Sequence, residues 1–358
     1  MTIQERVRAF AQLGLFLHEL ASAQRNKNGN AELADSYFDD AQELFQRLHL
    51  QNGWFTESNV RFAIRSIAEM LQAEKLEKWI AKYNFPQLNK SPKKVGLVLA
   101  GNIPLVGFHD FLSVLISGNI AIVKLSSDDK LLLPFVFKIL VSLDARFSEQ
   151  VIFTENRLND CEAVIATGSG NTARYFEYYF SKVPHIIRKN RNSVAVLDGN
   201  ETKDELEKLG EDIFSYFGLG CRNVSKLYIP EGYDLTLFFN AIYSYRETIN
   251  HNKYANNFDY NRAVYLMGKD KEGLLENGFL FLVKSEEFSS PVAVLFYEYY
   301  KDEKVLSTKL KAAKEKIQCI VSHAAFIDTK VKFGSTQKPE LWDYADNVDT
   351  LQFLLELN

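Results

Sequence analysis

Cysteine is scarce in this chain. Its 358 residues hold three, at positions 161, 221 and 319. An odd number at such wide spacing excludes a disulfide framework and matches no zinc-ligand pattern, so no metal is expected. Charge of one sign is lacking as well: 42 Lys and Arg stand against 46 Asp and Glu, a net charge of -4. That balance gives nucleic acid no footing as a partner. Long hydrophobic runs are also missing. The most apolar stretch, residues 131–143, is interrupted by Pro134 and Lys138 and is too short to span a bilayer. Residues 1–8 lack the apolar core of a signal peptide, so the chain is expected in the cytoplasm, where thiols stay reduced. No internal repeat and no low-complexity tract is visible.

What is present is enough sequence for two domains. The first 90 residues carry helical spacing. Val7, Phe10, Leu13, Leu17 and Leu20 mark one helix, and Phe38, Ala41, Leu44, Phe45 and Leu48 a second, with a break at residues 26–30. A third is predicted from Thr56 to about Tyr83, capped by Thr56 or Ser58. From Ser91 short apolar strands alternate with helices: strands at 93–100, 119–125, 151–154, 162–166, 186–187 and 193–197. The intervening helices are predicted over 105–117, around Pro134, and over 171–180. Such alternation predicts a mainly parallel sheet covered by helices on both faces. A second α/β stretch follows: a helix over 203–217, a strand at 226–229, a helix over 234–248, strands at 279–283 and 292–296, a helix over 304–316 and a strand at 317–322.

Three segments carry residues fit for chemistry. Cys221 lies in Phe217-Gly218-Leu219-Gly220-Cys221-Arg222-Asn223, between an amphipathic helix and an apolar strand. A glycine-flanked thiol with no neighbouring cysteine is placed to attack an electrophile. Gly101-Asn102-Ile103-Pro104 ends one strand, which is also how many ordinary turns read. Gly168-Ser169-Gly170 stands before a helix, offering backbone N–H groups to a diphosphate. It lacks the G-x-G-x-x-G spacing of the common dinucleotide fingerprint. Lys124 is either a solvated lysine or a donor to a ribose. Cys161 and Cys319 adjoin strands and read as small core residues. His109 and His185 read as structural, with proton donation to a leaving thiol as the alternative.

The order of these pieces resembles the aldehyde dehydrogenase superfamily and, within it, the LuxC family of fatty acid and acyl-CoA reductases. The likeness rests on residues 101–106, on Ala166-Thr167-Gly168-Ser169-Gly170 with Arg174, on residues 217–225, and on Phe333-Gly334 through Leu341-Trp342-Asp343-Tyr344-Ala345-Asp346 to Asp349-Thr350. It implies an α/β, aldehyde dehydrogenase-like fold with a Rossmann-type cofactor domain, an α/β catalytic domain and N-terminal helices. The expected divisions are a helical layer (1–90), a dinucleotide-binding domain (91–198), a catalytic domain (199–330) and a C-terminal segment (331–358).

The resemblance also implies roles. Cys221 is the nucleophile that takes an acyl group from acyl-CoA, and the Asn102 amide with the Cys221 N–H forms the oxyanion hole. Lys124 holds the adenosine ribose, Lys124, Ser126 or Ser127 the phosphate side of NADPH, and Gly168 and Ser169 the diphosphate and nicotinamide. The product is a fatty aldehyde, and a homo-oligomer and an acyl-activating or acyltransferase partner protein are implied. Where aldehyde-oxidising relatives carry a glutamate that activates water, this chain reads Ile187-Arg188-Lys189-Asn190-Arg191-Asn192-Ser193. No carboxylate is there, which favours reduction over oxidation. A non-redox acyltransferase using the same cysteine, or a coenzyme-A-independent aldehyde dehydrogenase, are the alternatives.

Overall fold

Thr2 and Glu5 start the first helix by satisfying one another's backbone. The Thr2 hydroxyl accepts the Glu5 N–H and the Glu5 carboxylate accepts that of Thr2. A computed structural model describes residues 1–24, 31–85, 91–158, 160–168, 170–268 and 273–357; the break expected at 26–30 lies outside them. In chain order the elements begin α1 (Ile3–Ser22), α2 (Ala31–Gln51), α3 (Glu57–Met70), α4 (Ala73–Ile80), β1 (Lys94–Val98), α5 (Phe108–Ser117), β2 (Ile120–Lys124), α6 (Leu132–Leu143) and β3 (Val151–Phe153). Next come β4 (Ala163–Thr167), α7 (Gly170–Tyr179), β5 (His185–Arg188), β6 (Asn192–Val196), α8 (Lys203–Phe214), β7 (Val224–Pro230), α9 (Leu235–Ala241) and α10 (Asn252–Met267). The last are β8 (Leu275–Glu276), β9 (Phe281–Lys284), β10 (Val294–Tyr300), α11 (Glu303–Ala312), β11 (Ile317–Val321) and α12 (Thr350–Leu355). Among the described residues no helix is long and apolar enough to cross a membrane.

Two compact units form, Met1–Lys189 with Pro339–Asn358, and Asn190–Lys338. The first holds an all-parallel sheet in the order β3-β2-β1-β4-β5. Its core is continuous with the helical layer: Phe10, Leu13 and Leu17 of α1 belong to the same cluster as Val95, Leu97, Phe111 and Leu351. Gly14 lets α1 touch the end of α3, since a Cβ there would meet the Leu71 Cβ at 2.7 Å. The second unit holds a sheet in the order β11-β6-β7-β10-β9-β8, parallel except for β8. Lys226, fully buried in β7, is held by Glu298 of β10 at 2.8 Å and lies over the Tyr228 ring.

Three expectations change. The helix predicted from Thr56 to Tyr83 is two helices, capped by Thr56 and interrupted where Gln72 turns extended (φ −56°, ψ 135°). The turn carries Leu76 and Trp79 into full burial, and Trp79 donates to the Tyr344 hydroxyl at 2.6 Å. The strand at 193–197 does not complete the first sheet but pairs with β7 and β11 in the second. The helix over 234–248 becomes α9 followed by a 3-10 segment, and α10, β8 and α12 are additional.

The C-terminal segment is tied to the first unit by Arg188. Its guanidinium donates to both Asp110 oxygens at 3.0 and 2.6 Å, to the Ala345 carbonyl at 2.8 Å and to the Thr350 hydroxyl at 2.7 Å. Both members of the ion pair are buried. Asp110→Ala would strand the buried cation and should cost about 3–5 kcal/mol of stability, whereas Arg188→Met with Asp110→Leu should cost less. Urea unfolding of the three proteins measures this; equal losses would contradict it.

Candidate active site

Asn102, Lys124, Ser126 and Gly168 fall in the first unit and Cys221 in the second. Ser169 lies outside the described residues.

In the first unit β1 is paired on one side with β2 and on the other with β4, Val98 standing beside both Lys124 and Ala166. The chain runs outward from β1 through β2 to β3 on one side and from β4 to β5 on the other. The gap between the β1 and β4 turns is therefore the switch point where open parallel sheets take ligands. The turn after β1 is packed tightly on the turn after β2. A Cβ on Gly101 would meet the Ser126 Oγ at 2.6 Å and the Asp128 Cβ at 3.0 Å. Leu105 is left-handed (φ 56°), and its N–H is held by the Asp129 carboxylate at 2.9 Å. Burial pushes the Asp129 carboxyl up to about 6. Asn52, just after α2, donates to the Gly101 and Asp128 carbonyls, each at 3.4 Å, tying both turns to the helical layer.

Asn102 is exposed on this turn. Lys124 ends β2 partly exposed, with a long 3.5 Å contact to the Asn156 carbonyl. The Ser126 hydroxyl accepts the Asp128 N–H at 3.2 Å, so it shapes the turn. Gly168 abuts Thr172 and Phe176 of α7, where a Cβ would come within 3.0 and 3.1 Å. Neither Asn52 nor Asp129 was visible as a site residue in the sequence. Both act through contacts distant along the chain.

Cys221 is exposed and not in a disulfide. It follows Tyr216, Phe217 and Gly218, three successive left-handed residues (φ 51°, 58° and 78°). Two of them are not glycine, a strained arrangement that surrounding contacts must maintain. Phe217 is stacked on His251 with ring centroids 4.3 Å apart. A turn then closes around the thiol residue, the Asn223 N–H donating to the Gly220 carbonyl at 3.0 Å. The Cys221 carbonyl accepts from buried Ser193 of β6 at 3.0 Å, and the same hydroxyl contacts the Cys319 sulfur at 3.0 Å. Cys319 is thus a partly exposed neighbour of this turn, whereas Cys161 is a core residue whose thiol burial pushes up to about 11. The Phe333-Gly334 segment is clamped alongside: Asp212 accepts the Gly334 and Thr336 N–H groups at 2.7 and 3.0 Å, and Arg222 donates to the Thr336 carbonyl at 2.7 Å. The turn's backbone is thus held on several sides while the Cys221 thiol stays exposed.

A family model described as acyl-CoA reductase (LuxC) matches residues 46–237. The chain belongs to the LuxC acyl-CoA reductase family. It is accordingly an oxidoreductase enzyme. No curated protein matches it in sequence. Its fold is that of the aldehyde dehydrogenases. Aldehyde dehydrogenase 21 from Physcomitrella patens, solved with succinate, matches with a TM-score of 0.63 at 13% identity, over 99% of this chain and 88% of that one. HpcC from Thermus thermophilus gives 0.62 at 15% identity over 91% and 70%. An NADP-dependent enzyme of E. coli gives 0.60 at 14% identity over 90% and 74%.

The histidines resolve differently from one another. His109 faces the C-terminal segment, bonding the Leu341 carbonyl at 2.9 Å against Tyr344. His185, the first residue of edge strand β5, bonds the Val183 carbonyl at 2.8 Å in the turn before it. Arg188 is committed to Asp110, and Arg191 to the Lys314 carbonyl and Glu315. Among the described residues, Asp198, Glu201 and His323 have the composition of a metal-ligand set. Yet both His323 nitrogens face carboxylates, Asp198 at 3.0 Å and Glu205 at 2.8 Å. Those contacts suit an imidazolium. The Asp198 hydrogen bond, joined by that to Glu205, raises the His323 pKa above its ordinary 6.5. A raised folded-state pKa stabilises fully below the unfolded value, and the gain is lost as pH rises through the folded one. The melting temperature should therefore fall from about pH 6 to about pH 9 more steeply in wild type than in His323→Gln. Parallel profiles would contradict this.

Proposed function

We propose that the chain reduces an activated fatty acyl group, carried as acyl-CoA, to the aldehyde through a thioester on Cys221, with NADPH as reductant. The observation that carries this reading is the exposed Cys221 thiol on a turn braced by Ser193 and Asn223, within the span matched by the family model. The Cys221 thiolate attacks the acyl carbonyl carbon, a carbon–sulfur bond forms, and coenzyme A leaves as thiolate and takes a proton. The family resemblance assigns the Asn102 amide and the Cys221 N–H as donors to the oxygen that becomes negative in the tetrahedral intermediate.

The residues of the first unit fit a dinucleotide. The turns of β1 and β4 flank a switch point, Gly101 lets the β1 turn pack on Ser126 and Gly168 lets the β4 turn pack on α7, and α7 turns its N-terminus to the same edge. Lys124 would hold the adenosine ribose, Ser126 the phosphate side, and Gly168 with Ser169 the diphosphate and nicotinamide. When bound, the cofactor supplies the hydride that converts the thioester to aldehyde, returning Cys221 as thiolate. The connection from Arg188 to Asn192 offers no carboxylate to deprotonate water, and its two guanidinium groups are committed elsewhere. General-base assistance is worth roughly 100- to 10,000-fold, so its absence favours hydride over water as the group that releases the acyl chain.

Incubation with a long-chain acyl-CoA, without cofactor, should leave one acyl group on the protein by mass spectrometry. Cys221→Ala should abolish it. An adduct that persists in the variant, or that maps to Cys319, would remove the basis of the mechanism.

A further inference from the structure

We infer that Asn223 is a positioning residue for the Cys221 thiol, its buried amide joining the end of α8 to the turn that presents the nucleophile. Asn223 is almost wholly buried, and its side chain reaches in two directions. The amide oxygen accepts the N–H of Gly220, the residue just before Cys221, at 2.9 Å. The amide nitrogen faces the carbonyls of Asp212, Ile213 and Ser215 at 3.0, 3.4 and 2.8 Å. Carbonyls at a helix end need donors, commonly supplied by the backbone of a glycine-containing cap. Here they are met by a side chain two residues beyond the cysteine. Between those carbonyls and Gly220 the chain passes through the left-handed residues Tyr216, Phe217 and Gly218. Asn223 closes that strained path on itself, so its amide is the side-chain link that sets Cys221 relative to the end of α8.

The chemistry distinguishes an amide from its isostere. Asparagine supplies an acceptor to Gly220 and donors to the carbonyls at once. Ionised aspartate would keep the acceptor and set a negative oxygen against three carbonyl oxygens, which displaces the turn. Protonated aspartate restores one donor. Burial among carbonyls raises such a carboxyl's pKa, so the Asp variant should work when protonated and fail when ionised.

This inference rests on Cys221 being the nucleophile, and the test separates the two claims. The rate of Cys221 acylation by a long-chain acyl-CoA is measured by mass spectrometry for wild type, Asn223→Ala, Asn223→Asp and Cys221→Ala, with melting temperatures alongside. Asn223→Ala should acylate about 100-fold more slowly, the scale of roughly 1 Å of misplacement. Because that variant also loses buried hydrogen bonds, Asn223→Asp carries the decision. Its rate relative to wild type at the same pH should be about 100-fold low near pH 8 and rise at least about tenfold near pH 5.5. Wild-type acylation by folded Asn223→Asp near pH 8, or a ratio to wild type that does not change with pH, would overturn the positioning role. Acylation surviving in Cys221→Ala would instead overturn the nucleophile.

Discussion

The edge of the first sheet depends on the pairing of β1 between two parallel neighbours. Parallel strands deliver their following turns to one edge of the sheet, and β1 is the strand from which the order runs outward both ways. The turns carrying Asn102, Ser126 and Gly168 therefore emerge side by side, although they are separated by tens of residues in the chain. Their spacing is tightened by contacts with no tolerance for extra atoms. Gly101 lies against Ser126, and Asp129 holds the N–H of left-handed Leu105. Asn52 bridges the two turns from the helical layer, so that layer contributes to the site edge as well as to the core.

The second unit solves a different problem, leaving the Cys221 thiol exposed on a turn whose backbone is held from several sides. Its means is buried polar satisfaction. Asn223, Asp212 and Ser193 are all buried, and each bonds to backbone atoms of the cysteine turn, of the end of α8 or of the loop beside them. Burying these groups would be costly if they were unmet; met, they hold two non-glycine residues in left-handed geometry just before Cys221. Burial raises the Asp212 carboxyl to about 6 even as the Gly334 and Thr336 N–H groups favour its charge.

Much of this fold was legible because periodicity and punctuation agree. The short apolar strands, the Pro104 turn and the glycines around Cys221 are local signals, and each element they mark is present. The rest depends on contacts remote in sequence. The break at Leu71–Gln72 has no glycine or proline to announce it; it arises where Leu71 meets Gly14. The α10 helix leaves no helical period in the sequence because its apolar residues are spread around its circumference, with only Tyr254, Phe258 and Asn261 buried. Strand β6 is apolar enough for either sheet, and pairing partners alone assign it. Nothing local marks Arg188 as a structural tie; its partners Asp110 and Ala345 are distant along the chain. Asn223, Asp129 and Asn52 are ordinary polar letters until their burial and partners are known.

The central claim is that one sulfur, Cys221, carries the acyl group from which hydride transfer makes the aldehyde. Its most direct test is a single turnover. The protein is acylated with acyl-CoA, freed of excess donor, and mixed with NADPH carrying deuterium at the transferable position. The Cys221 peptide and the released product are then weighed together. The account predicts that the acyl mass leaves Cys221 as an aldehyde bearing one deuterium appears. An acyl group that stays on Cys221 after the cofactor is consumed, or an aldehyde without deuterium, would contradict it.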